Sequence, residues 1–252
     1  MANHKCEICG VDVNLLQQQK LADGSYICRK TCRAKGFKDM DYVNATLPQV
    51  QAHLEQVEYG TKLWHHYFVP RMKTKEKDKK LKIFDTRIYI AEDIGLMALV
   101  KRTYKFLVFG KTEYACVYRI ADLYEYEYEP ETKSTTDGKT ETLHYIHFFF
   151  HNVEGLYDFR VKLFNILTCR SVNEYFNKLF GIEKTLGNIK DTWTTQVNAI
   201  KGVAAGIKAV AGGAGNAEQK AGDAIDALDT MKYGDRTQWI AKADAALDAF
   251  KG

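Results

Sequence analysis

The chain has 252 residues, 46% of them apolar and 27% charged, which allows a substantial core and excludes a disordered or fibrous protein. Its formal net charge of +4 falls short of the strong basic bias of a dedicated nucleic-acid binder. No run of roughly 18 apolar residues could span a membrane. The opening Met-Ala-Asn-His-Lys-Cys lacks the apolar stretch of a secretion signal, so a cytoplasmic location is expected. There, clustered cysteines read as metal ligands before disulfides.

Residues 1–38 hold four of the six cysteines, spaced Cys6-x2-Cys9-x18-Cys28-x3-Cys32. Two cysteines separated by two residues can aim both sulfurs at one ion while backbone amides bond to those sulfurs, and Gly10 permits a tight turn after the second. Asp23-Gly24 marks a hairpin that returns the chain to the metal. Cys28 and Cys32 share a face on the first turn of a helix, whose free amides favour thiolates. One structural zinc on Cys6, Cys9, Cys28 and Cys32 is the expectation, with His4 as the alternative to Cys32. Four protein ligands leave no position for water, which argues against hydrolysis at this metal. So small a segment has too little core to fold alone, and metal binding would contribute its folding free energy, on the order of 10 kcal/mol.

Residues 46–70 form a linker unit, with one amphipathic helix over 46–68. Thr46 and Gln49 fit a capping box, and Pro48 sits in the first turn, where its missing N–H costs nothing. Leu47, Val50, Leu54, Val57 and Trp64 make the apolar stripe, and Pro70 is expected to end the helix. Residues 71–82, with seven Lys or Arg and two acidic positions, read as an exposed linker. Residues 83–163 change period and predict about seven antiparallel strands, punctuated by Gly95, Gly110, Asn152 and Gly155, with a hairpin tip at 133–140. Ile146, Phe148 and Phe150 should face one way, and Tyr124, Tyr145 and Phe149 the other. A strand so apolar on both faces is central and covered, or part of a closed barrel. Ser171 and Glu174 fit a second capping box, opening a helix that buries Val172, Tyr175, Phe176 and Leu179. Residues 184–252 read as three amphipathic helices, the last with the stripe Trp239, Ile240, Ala243, Leu247 and Phe250.

The residues CEICG, KLADGSYIC and KGF resemble a bacterial domain family whose members carry a short N-terminal four-cysteine zinc finger. Its members often place a pleckstrin-homology-like domain behind the finger, and VYRIADLYEYEYEPE, IHFFF and NVEGLYDF are similar to that domain. The departure is the x3 spacing of Cys28 and Cys32, where the family usually has x2. The resemblance implies no enzymatic activity. The fold expected is α+β and multidomain: a zinc finger at 1–38, a linker helix at 46–70, a PH-like antiparallel β-barrel with C-terminal helix at 83–183, and an all-α tail at 184–252.

Other features favour ordinary readings. His147 and His151 share a strand face and His144 takes the other, with no acidic cluster of matching parity, so they read as strand histidines. The alternation over Tyr124–Glu129 reads as a half-exposed strand. Cys116 and Cys169 read as core. No nucleophile–base pair is legible, and VAGGAG at 210–215 does not match a phosphate loop. The expected function is a non-enzymatic scaffold, making protein contacts or self-associating through its PH-like unit and helical tail. The alternatives are a peripheral binder of anionic lipid, using the lysines of 71–82, and nucleic-acid binding through Lys20, Arg29, Lys30, Arg33, Lys35 and Lys38.

Overall fold

The computed structural model describes residues 4–37, 40–75, 80–106, 109–135, 137–181 and 236–251. The chain opens with four short strands, β1 (His4–Lys5), β2 (Asp12–Val13), β3 (Gln18–Lys20) and β4 (Tyr26–Cys28). They pair antiparallel as β1–β2 and β3–β4. A π-helical turn, Arg29–Arg33, follows.

Helix α1 (Leu47–Leu63) starts where the capping box expects it, with the Gln49 Oε1 accepting from the Thr46 amide at 2.9 Å. Val50, Val57 and Trp64 are fully buried; Leu47 and Leu54 pack at the edge of the core that holds Val50 and Val57, while Trp64 joins the outer cluster with Leu63 and Phe68. Pro70 does not end the helix. A π-turn, Trp64–Phe68, intervenes, and helix α2 (Val69–Lys73) continues with Pro70 in its first turn. Proline breaks a helix because it lacks an N–H and its ring strikes the carbonyl four residues back; the wider turn, closed by Val69 N–H on the Trp64 carbonyl, removes both objections. The start of the expected linker is therefore helical, and Arg71 pairs with Asp93 at 2.8 Å.

Seven strands occupy the expected region. β5 (Lys82–Phe84), β6 (Ile88–Ala91), β7 (Leu96–Phe106) and β8 (Phe109–Arg119) form one antiparallel sheet in that order. β9 (Leu123–Ser134), β10 (Thr140–Phe150) and β11 (Asp158–Leu163) form a second, in the order β11-β10-β9. Among the described residues the two ladders stay separate, so no closed barrel forms. β5 and β8 are the edges of one sheet and β9 and β11 those of the other, and β6 pairs with β7 only over Leu96–Leu99, which leaves the later part of β7 unpaired on that side.

Both faces of the four-stranded sheet are covered. Ile88, Ile90, Met97, Leu99, Cys116 and Tyr118 join the inner core with Tyr126, Ile146, Phe148, Phe150 and Phe159 of the second sheet. The alternate residues Tyr89, Leu96, Ala98, Val100, Ala115 and Val117 pack outward against Leu63, Trp64 and Phe68. α1 crosses β8 closely at Gly60, where a Cβ would lie 2.5 Å from the Ala115 carbonyl oxygen.

The helix after β11, α3 (Ile166–Phe180), begins five residues before Ser171: Asn165 is its N-cap, accepting from the Thr168 amide at 2.9 Å. It buries Val172 and Phe176, with Tyr175 and Leu179 at the margin. Of the expected tail, α4 (Thr237–Lys251) is described, while 184–235 lie outside the described residues. Trp239, Ala243 and Ala246 are buried, but Ile240 is 43% exposed and does not belong to the stripe. α4 covers the outer face of the four-stranded sheet beside Leu63 and Trp64. No described helix is long and apolar enough to cross a membrane.

Candidate metal centre

The cysteine segment brings Cys6, Cys9, Cys28 and Cys32 together, with their sulfurs all within 4.8 Å of one another. Cys6 and Cys9 lie in the tight turn that ends at Gly10, which takes a left-handed φ of 71° and donates its N–H to the Cys6 carbonyl at 2.8 Å. Cys28 ends β4 and caps the π-turn that carries Cys32. This wide turn has about four residues per turn and resolves the unusual x3 spacing, because it brings Cys32 back over Cys28. The Cys32 amide donates to the Cys28 sulfur at 3.2 Å, and the Cys28 amide to the Cys6 sulfur at 3.3 Å.

Burial raises the Cys28 thiol, but hydrogen bonds from the amides of Cys32 and Thr31 and from the Cys32 and Cys9 thiols together bring the group down to about 7. Burial, reinforced by the neighbouring sulfurs, drives Cys32 strongly upward. Burial also lifts Cys9. The quartet by itself thus ionises one sulfur first and keeps protons on others. A cation at the centre would displace those protons, and the four sulfurs could hold a metal ion.

The surroundings lock the segment to the rest of the molecule. Cys6, Cys28 and Cys32 are buried in one cluster with Val13, Leu21, Ile27, Tyr42, Val50 and Val57. The Asp23–Gly24 turn has a second role that spacing did not reveal: Asp23 Oδ2 accepts from the Leu47 amide at 2.7 Å, which ties the hairpin to the start of α1 and lowers the carboxyl's pKa. Gly36, at the end of the segment, gives its carbonyl to both the Tyr42 hydroxyl (2.5 Å) and His53 Nε2 (2.6 Å). His53 is fully buried, and desolvation lowers its pKa to about 4, so the ring is neutral. His4 is not part of the quartet; it stacks on Tyr26 at 3.9 Å.

Among the described residues no other group of three such side chains gathers its ligand atoms this tightly. His144 Nδ1 meets the Tyr128 hydroxyl at 2.8 Å. His147 does have acidic neighbours, Glu129 and Asp158, at 3.5 Å each. Sequence parity missed them because they come from the two flanking strands, diagonal to His147 in the register. Cys116 and Cys169 are fully buried, as core cysteines should be. Of the finger cations, Lys35 approaches Glu58 at 3.9 Å and Arg33 lies over the Tyr42 ring, while Lys38 lies outside the described residues.

The chain matches no family model, no curated protein and no solved structure, and no match supports the PH-like domain or the bacterial family that the motif residues suggest.

Proposed function

We propose that the protein is a non-enzymatic scaffold whose amino-terminal cysteines hold one structural Zn2+. The observation that carries this is the spacing of the sulfurs. A tetrahedral site with Zn–S bonds of about 2.3 Å sets its ligands about 3.8 Å apart. Cys6 and Cys32 lie 3.8 Å apart, and Cys9 and Cys28 3.7 Å. Such a site has no open position for water or substrate. Its contribution is to hold the hairpins, and through Gly36 and Asp23 the start and middle of α1, in one arrangement.

Two antiparallel sheets of four and three strands followed by α3 have the element order of a PH-like unit, here without a strand ladder joining the two sheets. The exposed Leu15 and Leu16, 62% and 83% accessible, favour a protein partner on the metal module. Elemental analysis of purified protein, paired with its mass in solution, tests the reading. One zinc per chain, and either self-association or a specific captured partner, is expected. Protein that folds without stoichiometric metal overturns the zinc assignment, and a monomer with no protein partner overturns the scaffold.

A further inference from the structure

Helix α1, the end of β8, the loop between β10 and β11, and α4 meet around a pocket of about 450 Å³, a volume within the range for small-molecule sites. Its apolar wall is Tyr59, Leu63, Leu96, Val117, Val153 and Leu247. Among the described residues its one cation is Arg119, and that charge is fully engaged. Arg119 Nε and Nη2 donate to the two oxygens of Asp122 at 2.8 and 2.9 Å, and Nη1 donates to Asp244 of α4 at 3.0 Å. Asn152 Nδ2 also donates to Asp122, at 3.3 Å.

What is left over is a set of acceptors. Glu55 on α1 and Glu154 on the loop are exposed at the pocket, and among the described residues neither has a cationic partner. Tyr118, also in the lining, is only 3% exposed, and its hydroxyl has no hydrogen-bond partner although Gln56 and Cys116 lie beside it. Its ring is stacked on Phe150 at 3.8 Å, which keeps the hydroxyl from swinging away to find one. Gln56 Oε1 is likewise enclosed and without a donor. Buried polar atoms are nearly always paired, and leaving one unmet costs about 1–3 kcal/mol.

We propose that this pocket binds a small organic cation, an ammonium or guanidinium carried on an apolar stem. Such a head only donates hydrogen bonds, which suits Gln56 Oε1, the Tyr118 oxygen and the two carboxylates. The stem lies against Val117 and Leu247, and the Tyr59 ring adds a face that attracts cations. An anion would meet two uncompensated carboxylates. The walls are fixed in place: the loop presses on α1 so closely that a Cβ on Gly155 would lie 2.7 Å from His53 Cα, and Asn152 holds a left-handed φ of 54° while it reaches Asp122. The inference goes beyond the scaffold reading and does not depend on which metal the cysteines hold.

Calorimetric titration of the full chain with agmatine and with 2-phenylethylamine tests it. Binding of at least one is expected, and phenylacetate, an aromatic stem ending in a carboxylate, should not bind. The double variant E55Q/E154Q should lose about tenfold or more in affinity. The control E141Q/E174Q, which removes equal charge outside the pocket, should bind as the parent does. Y118F removes only the unpartnered hydroxyl, so its urea midpoint should stay at or above the parent's while its affinity for the amine falls. No binding of either amine, equal binding of phenylacetate, equal losses in both double variants, or full affinity in both E55Q/E154Q and Y118F overturns the proposal.

Discussion

In residues 4–37 no strand exceeds three residues, and the buried apolar side chains are few: Val13, Leu21, Ile27 and three cysteines. In the four-stranded sheet β7 and β8 each run eleven residues, and alternate side chains are buried on opposite faces by different partners. The first region has little apolar area of its own: it borrows packing against α1, and an ion held by the four sulfurs would add a central cross-link. The second is held by area, spread over contacts from sequence-distant elements. Loss of one group should therefore act very differently in the two regions, with His53 as the test of how tightly they are joined.

The largest contrast is expected on metal removal. A chelator should withdraw on the order of 10 kcal/mol from the folded metal module. It should abolish the near-ultraviolet signal of Tyr26 and Tyr42 and lower the melting temperature, while far-ultraviolet circular dichroism still reports the sheets. Chelation that leaves both signals unchanged would erase the distinction drawn here. In the sheets the strongest single truncation is Phe148→Ala, at a fully buried position between β10 and α3. It should cost about 3–5 kcal/mol, read as a lower urea midpoint with zinc content unchanged.

The join itself should be sensitive to pH. His53 has a folded pKa of about 4, below the ordinary 6.5, so only the unfolded chain takes up the proton between those values. Its contribution is complete above pH 6.5 and declines as pH falls toward 4, by up to about 3 kcal/mol. Urea denaturation across that range should show the decline, and His53→Gln, which keeps an amide donor for the Gly36 carbonyl, should flatten it. The smallest effect is local: Asn165→Ala removes the cap of α3 and should cost about 1 kcal/mol, with neither metal content nor the pH profile altered.

The cysteine quartet is the most legible part of the sequence. Cysteine spacing and the Asp-Gly turn are short-range signals, and the four sulfurs fall where the spacing put them. The start of α1 was legible for the same reason, since a capping box spans only four residues. Errors arose where a local rule met a distant partner. Pro70 reads as a stop because the local proline rule assumes a regular α-helix before it, and the wider Trp64–Phe68 turn departs from that. Ser171 and Glu174 fit the cap pattern of a helix start, although Asn165 caps α3 earlier. The barrel was expected to close because alternation reports which residues are buried and does not report which strand edges meet.

Sequence alone determined the cysteine quartet, the positions of the strands and the apolar faces of α1 and α3, because each depends on residues within a few turns or one hairpin of each other. Tertiary structure alone decided that α4 returns to cover the outer sheet, that Asp23 and His53 tie the metal module to α1, and that the two sheets stay unjoined. Those outcomes depend on strand register and contacts across more than a hundred residues, such as Arg119 with Asp244 at 3.0 Å. No pattern confined to one segment can encode them.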